Sequence, residues 1–155
     1  MIAPGDDIDQ IMAVMHAAFD PVFGEAWSRR QVEDALLVGN CHYGLIASGG
    51  GDPHLGEPAA GFFLSRYGVE DEELLLLGVV PDARLRGLGA ALLARYAAAA
   101  RARGAKRLLL EMRRGNPAAT LYLNFGFVAM GERRMYYRAP DGERFDAVTF
   151  GYNFE

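Results

Sequence analysis

Val80-Pro81-Asp82-Ala83-Arg84-Leu85-Arg86-Gly87-Leu88-Gly89-Ala90-Ala91-Leu92-Leu93 joins an apolar run to a long alanine- and leucine-rich segment. Upstream, Glu73 to Val80 has strand length and a continuous apolar run, which predicts a strand buried on both faces at the centre of a sheet, ended by Pro81. Downstream, Gly87 to Arg103 predicts a long helix, with Gly104 in the position that favours a left-handed cap. A glycine pair at a helix start exposes backbone N–H groups that can surround a phosphate, and the helix dipole adds to the attraction. Arg84 and Arg86 bring the charge that a diphosphate needs when it leaves water. Two readings of the pair stand side by side: an anion cradle, or a helix start where glycine merely permits close packing. Two other phosphate motifs fit badly, because no Gly-Lys-Ser/Thr closes the loop and Leu92 occupies the third glycine position of a dinucleotide fingerprint.

Outward from this junction, Asp6 to Phe19 places Ile8, Ile11, Met12, Met15 and Phe19 at helical spacing. Pro21 and Gly24 break that helix, and Ser28 is the N-cap of a second one running to about Val38, with Trp27 in the joint. His42 to Ala47 and Ala59 to Ser65 predict strands around a turn-rich loop. After the long helix come a strand over Arg107 to Met112, a short helix over Asn116 to Asn124, a strand after Gly126-Phe127, and a last strand over Arg144 to Phe154. The order is two helices, three strands, helix, strand, helix, strands, with no repeat and no low-complexity tail.

Length and composition bound the rest. A chain of 155 residues with 51% hydrophobic content can build one core without a staple, so a single domain over 1–155 is expected. The formal charge of −4 argues against direct nucleic-acid binding. Cys41 has no partner for an internal disulfide, no basic leader follows Met1, and no apolar run approaches the ~18 residues of a membrane helix. A cytoplasmic protein with no membrane span is the expectation. His16, His42 and His54 are scattered without metal-ligand spacing, so no metal is expected.

Arg-x-x-Gly-x-Gly after a buried strand and before a long helix resembles the acetyl-CoA-binding motif of the GNAT superfamily of N-acetyltransferases. Leu110-Glu111-Met112-Arg113-Arg114-Gly115-Asn116-Pro117-Ala118-Ala119, with Leu121-Tyr122 and Gly126-Phe127, resembles the second half of the same fold. Within the superfamily, Ala26-Trp27-Ser28, Leu110-Glu111-Met112-Arg113 and Arg133-Arg134-Met135-Tyr136-Tyr137 with Asp141-Gly142 resemble the RimI type, which modifies the N-terminal alanine of ribosomal protein S18. The resemblance implies an α/β (α+β) fold whose mixed, mostly antiparallel sheet is splayed at the cofactor site and flanked by helices. It implies acetyl-CoA as cosubstrate and a protein or peptide N-terminus as partner.

It also implies roles for individual residues. Acetyl transfer needs a neutral amine, a polarised thioester carbonyl and a proton for the departing thiolate. Glu111 matches the carboxylate that takes the amine proton, and Tyr122 the phenol that protonates coenzyme A. The central strand splays at a bulge where a backbone N–H meets the thioester oxygen; Val79 matches that position, beside Leu77 and Gly78. Arg84, Leu85, Arg86, Gly87, Leu88, Gly89 and Ala90 match the pyrophosphate loop, Asn116 a further cofactor ligand, and Trp27, Tyr136 and Tyr137 the acceptor groove. Bland roles remain open: a surface Glu111 paired to Arg113 or Arg114, packing roles for Tyr122 and Trp27, strand positions for Tyr136 and Tyr137, and a helix N-cap for Asn116. The Asn116–Tyr122 spacing is one residue shorter than the family's, about 100° of helix rotation, whereas Tyr122 to Gly126-Phe127 keeps the family interval. Two further functions share these features, transfer to a small-molecule amine or lysine, and a non-enzymatic acyl-CoA sensor; retention of both Glu111 and Tyr122 argues against the sensor.

Overall fold

Asp6 starts the first helix by accepting the Asp9 N–H at 3.0 Å, and the helical spacing of Ile8, Ile11, Met12 and Met15 then lines its inner face. In the computed structural model, which describes residues 6–154, this helix is α1, Asp7–Ala18. The reading of Met1 onward as lacking a leader rests partly on residues outside that range, as do the outer limits of the 1–155 domain. Helix α2, Arg29–Val38, begins at Ser28 in a capping box: Gln31 N–H donates to Ser28 Oγ at 3.1 Å, and Ser28 N–H to Gln31 Oε1 at 2.7 Å. An Arg29–Asp9 ion pair joins the two helices.

The strands are β1 Cys41–Ile46, β2 Gly61–Tyr67, β3 Asp71–Val79, β4 Arg107–Arg113, β5 Val128–Arg138 and β6 Arg144–Asn153. Helix α3, Leu88–Ala102, connects β3 to β4, and α4, Ala119–Phe125, connects β4 to β5. They form one open sheet in the order β1-β2-β3-β4-β6-β5, antiparallel except for the β3–β4 pair that α3 bridges. The mixed, mostly antiparallel sheet expected from the resemblance is therefore observed. One core lies under α3 and α4, with Leu92, Leu93, Tyr96, Leu108 and Phe127 fully or almost fully buried. The other lies under α1 and α2, around Ile11, Met15, Phe62 and Leu64.

Two departures from the sequence reading matter for the site. Continuous burial was expected along Glu73 to Val80, but burial alternates, with Leu75, Leu77 and Val79 only partly covered. The cause is that β4 pairs with β3 only from Asp71–Arg107 to Leu74–Leu110, so the rest of β3 has a neighbour on one edge alone. The bulge was expected beside Val79, but the register breaks opposite Leu64/Ser65, which leaves Leu75 as the extra residue of β3. Leu74 and Leu77 consequently face the α3 core, whereas Leu75 and Leu76 face the α1–α2 core. The bend begins where β3 and β4 part.

At the opposite end of β3, Glu72 is fully buried. It accepts from Ser65 Oγ and pairs with Arg103, whose Nε lies at 2.9 Å, while Tyr96 Oη donates to its carbonyl. This network anchors the last turn of α3 to the sheet. Glu72→Ala is expected to cost about 3 kcal/mol in urea unfolding, the lower end for a broken buried pair because Arg103 still reaches solvent.

Candidate active site

Val80 donates its N–H to Ala60 O at 2.8 Å, so alternation along β3 turns the N–H groups of Leu77 and Val79 to the opposite edge. Strand β4 has already left that edge, and the sheet supplies them no partner there. Gly78 sits between them with its Cα against Phe19 and Ala18, where an added Cβ would come within 3.0 Å of the Phe19 ring. The wedge between β3 and β4 is thus lined by backbone donors on one wall.

Past the wedge, the chain turns through a short 3₁₀ segment, Pro81–Ala83, into the predicted loop. Leu85 (φ 65°) and Gly87 (φ 79°) both adopt the left-handed conformation, and Leu85 is fully exposed. Gly87 is the N-cap of α3 and makes no side-chain cap bond, so no side chain occupies the first-turn N–H groups. Alternating left-handed residues before a bare helix N-terminus form a concave donor site suited to a phosphate. Arg86 is exposed beside it. Arg84 behaves differently from the sequence expectation: Nε donates to Val79 O at 3.0 Å and Nη2 to Ala18 O at 2.8 Å, bracing α1 against the end of β3. Gly89 allows α3 and α4 to approach, since an added Cβ would meet Leu121 at 3.3 Å, and Leu88 is buried while Ala90 is exposed. Gly89 thus serves close packing, while Gly87 leaves the first-turn N–H groups of α3 uncapped by a side chain.

Glu111 and Met112 leave β4 on opposite faces of the sheet. Met112 joins the α3 core, which also holds Tyr122 of α4. Burial pushes the Tyr122 phenol above its ordinary pKa, its ring stands edge-on to Phe127 at 5.9 Å, and no hydrogen bond to its hydroxyl is formed by the described residues. Glu111 faces the other way. Its Oε2 accepts from Thr149 Oγ1 at 3.2 Å and lies 3.3 Å from Arg133 Nε, with the side chain 18% exposed. The carboxylate and the phenol thus lie on opposite faces of the sheet. Asn116 accepts the Ala118 N–H at 3.0 Å, capping the turn before α4, which starts at Ala119 rather than at Asn116.

Tyr136 and Tyr137 sit on β5 as an edge-on pair 5.5 Å apart, and Tyr137 Oη donates to Glu111 O at 3.3 Å. Burial, with the Glu111 and Glu25 carboxylates nearby, pushes the Tyr137 phenol up to about 12. Trp27 is half-buried against the α1–α2 core, and its backbone N–H donates to Met15 Sδ at 3.3 Å, which holds the joint between the helices. Across from Tyr137, Arg113 lies 3.5 Å over the Phe23 ring and 3.4 Å from Glu25, which pins the α1–α2 connection to the end of β4. Sequence reading did not give Thr149 or Glu25 a place here, and it offered Arg113 or Arg114 as partners for Glu111, which pairs with Arg133 instead while Arg113 turns to Glu25. Thr149 stands beside Glu111 only through the β4–β6 register, which no local spacing encodes.

A left-handed loop and a bare helix N-terminus thus stand at the head of a wedge between two parting parallel strands. Residues 45–129 match the acetyltransferase (GNAT) domain family. The chain belongs to the GNAT acetyltransferases. The [ribosomal protein bS18]-alanine N-acetyltransferase of Escherichia coli strain K12 is 38% identical over 90 residues, 57% of this chain and 60% of that protein. The match to this curated relative thus spans less than two thirds of its length. The crystal structure of the ribosomal-protein-S18-alanine N-acetyltransferase from Escherichia coli aligns with a TM-score of 0.77 at 25% identity, over 96% of this chain and 88% of that one. Arabidopsis thaliana NAA60 in complex with acetyl-CoA aligns with a TM-score of 0.76 over 97% of this chain and 94% of that one, sharing the GNAT fold at 19% identity. Among the described residues no helix is long and apolar enough to cross a membrane, and no cluster of potential metal ligands is present.

Proposed function

We propose that this GNAT protein transfers an acetyl group from acetyl-CoA to the N-terminal α-amine of a protein, with the alanine end of ribosomal protein S18 as the first candidate acceptor. The observation that carries the reading is the wedge between β3 and β4, with Glu111 on one face and Tyr122 on the other. The likeness to S18-alanine acetyltransferases supports the choice of acceptor. The open face toward Tyr136, half exposed on β5, suits an extended peptide end better than a closed pocket for a small amine.

Acetyl-CoA supplies an activated acyl carbonyl and a thiolate leaving group. The first-turn N–H groups of α3, the left-handed loop of Leu85 and Gly87, and Arg86 hold its pyrophosphate. The Val79 N–H, with Leu77 beside it, donates to the thioester oxygen and stabilises the charge that develops there. Glu111 takes the proton of the attacking amine directly or through one water, and Thr149 fixes the carboxylate's orientation. Arg133 balances Glu111 until an ammonium takes its place. Tyr122 holds its proton throughout the neutral range and delivers it to the sulfur on the α3 side.

Acid–base cost favours an α-amine over lysine. An α-amine titrating at about 7.7–8.0 is partly neutral at physiological pH, whereas a lysine near 10.4 needs roughly 3 kcal/mol more to lose its proton. Offered a peptide beginning with alanine beside the same peptide with a blocked N-terminus and an internal lysine, the enzyme is expected to acetylate the first. Mass spectrometry locates the acetyl group. Acetylation of the lysine alone would overturn the α-amine reading.

A further inference from the structure

Three residues of β5, Arg134, Met135 and Tyr136, stand opposite Asp146 alone, because Arg133 pairs with Ala147 and Tyr137 with Phe145. Inside this bulge Met135 has φ 55°, a region that L side chains rarely enter. Its N–H donates to Asp146 Oδ1 at 2.9 Å, and its carbonyl accepts from Arg144 Nη1 at 3.3 Å. Asp146 is itself held, with its carbonyl accepting the Arg114 N–H at 2.7 Å and its carboxylate 3.8 Å from Arg114 Nε. Tyr136, the last residue of the bulge, carries Arg133 4.8 Å over its ring, and Tyr137 immediately past it donates to Glu111 O.

We propose that Asp146 is a positioning residue for the acceptor groove: its carboxylate holds the Met135 bulge in the conformation that sets Tyr136 and Tyr137 beside Glu111. A regular β5 would remove two residues from this stretch and shift the strand relative to Asp146; the bulge re-aims both tyrosines instead. The left-handed residue persists because a side-chain acceptor meets its otherwise unpaired N–H on an exposed edge strand. Asp146 acts through Met135 and does not itself face the reacting amine. The inference rests on the reading that the acceptor binds at Glu111.

The test uses the full chain, an alanine-initiated peptide and acetyl-CoA. Asp146→Ala is expected to raise the acceptor KM about tenfold, the size of one lost charge-assisted hydrogen bond, with the acetyl-CoA KM held within about twofold. Asp146→Asn keeps an acceptor oxygen without the charge and should restore most of the wild-type KM; Met135→Gly in the Asp146→Ala background should recover part of it by removing the backbone strain. An acceptor KM unchanged in Asp146→Ala, or rising in step with the acetyl-CoA KM, overturns the proposal. Hydrogen exchange of the Met135 amide reads the same contact without catalysis. Protection of about tenfold or more in the wild type supports the contact, and exchange at the unprotected rate refutes it whatever the variants do. A wild type that transfers nothing to the peptide but protects Met135 would sink the acceptor reading while leaving the bulge contact standing.

Discussion

Tyr122→Phe is expected to lower kcat by about 10²–10⁴-fold while leaving acetyl-CoA affinity within about twofold, the signature of a lost general acid. The substitution removes one oxygen and keeps the ring that packs edge-on against Phe127. No described residue bonds that hydroxyl, so folding should be nearly untouched. Burial raises the phenol's pKa, which keeps the proton in place but makes its release more costly. That release becomes favourable only against the charge developing on sulfur, so the effect belongs to kcat rather than to binding. Single-turnover kinetics together with calorimetric titration of acetyl-CoA separate the two quantities. Unchanged turnover would transfer the acid role to water.

Glu111→Gln is expected to depress turnover by about 10²–10³-fold near neutral pH, and less above pH ~8, where the acceptor amine is already largely neutral. The sign follows from the amine: below its pKa the attacking nitrogen carries a proton that Glu111 removes, and above it that task lightens. The glutamine keeps an oxygen for Thr149 but gives up the charge that faces Arg133. A pH profile of kcat/KM for the alanine peptide reads this directly. A defect of equal size from pH 6 to 9 would mean that Glu111 does not deprotonate the ammonium form of the acceptor.

Much of the molecule was legible in the chain because it is written in local chemistry. Asp6 and Ser28 begin helices by bonding N–H groups within three residues, and Gly104 ends α3 with a φ of 99°. Gly87 leaves the first-turn N–H groups uncapped wherever a helix starts there, so that bare helix start needed no tertiary knowledge. What the sequence by itself determined is therefore the order of the elements, the bare N-terminus of α3 and the GNAT frame.

The tertiary structure decided the rest, because those features depend on register between distant segments. Arg84 reads as an anion ligand from its neighbours, yet Ala18, far away in sequence, takes its guanidinium. The bulge of β3 falls at Leu75 rather than beside Val79 because β2 sets where the ladder slips. Glu111 gains Thr149 and Arg133 from β6 and β5, and Met135 gains Asp146, through pairings that span many residues. A period-two pattern states which face a residue occupies, but only the folded sheet fixes which residue lies across from it.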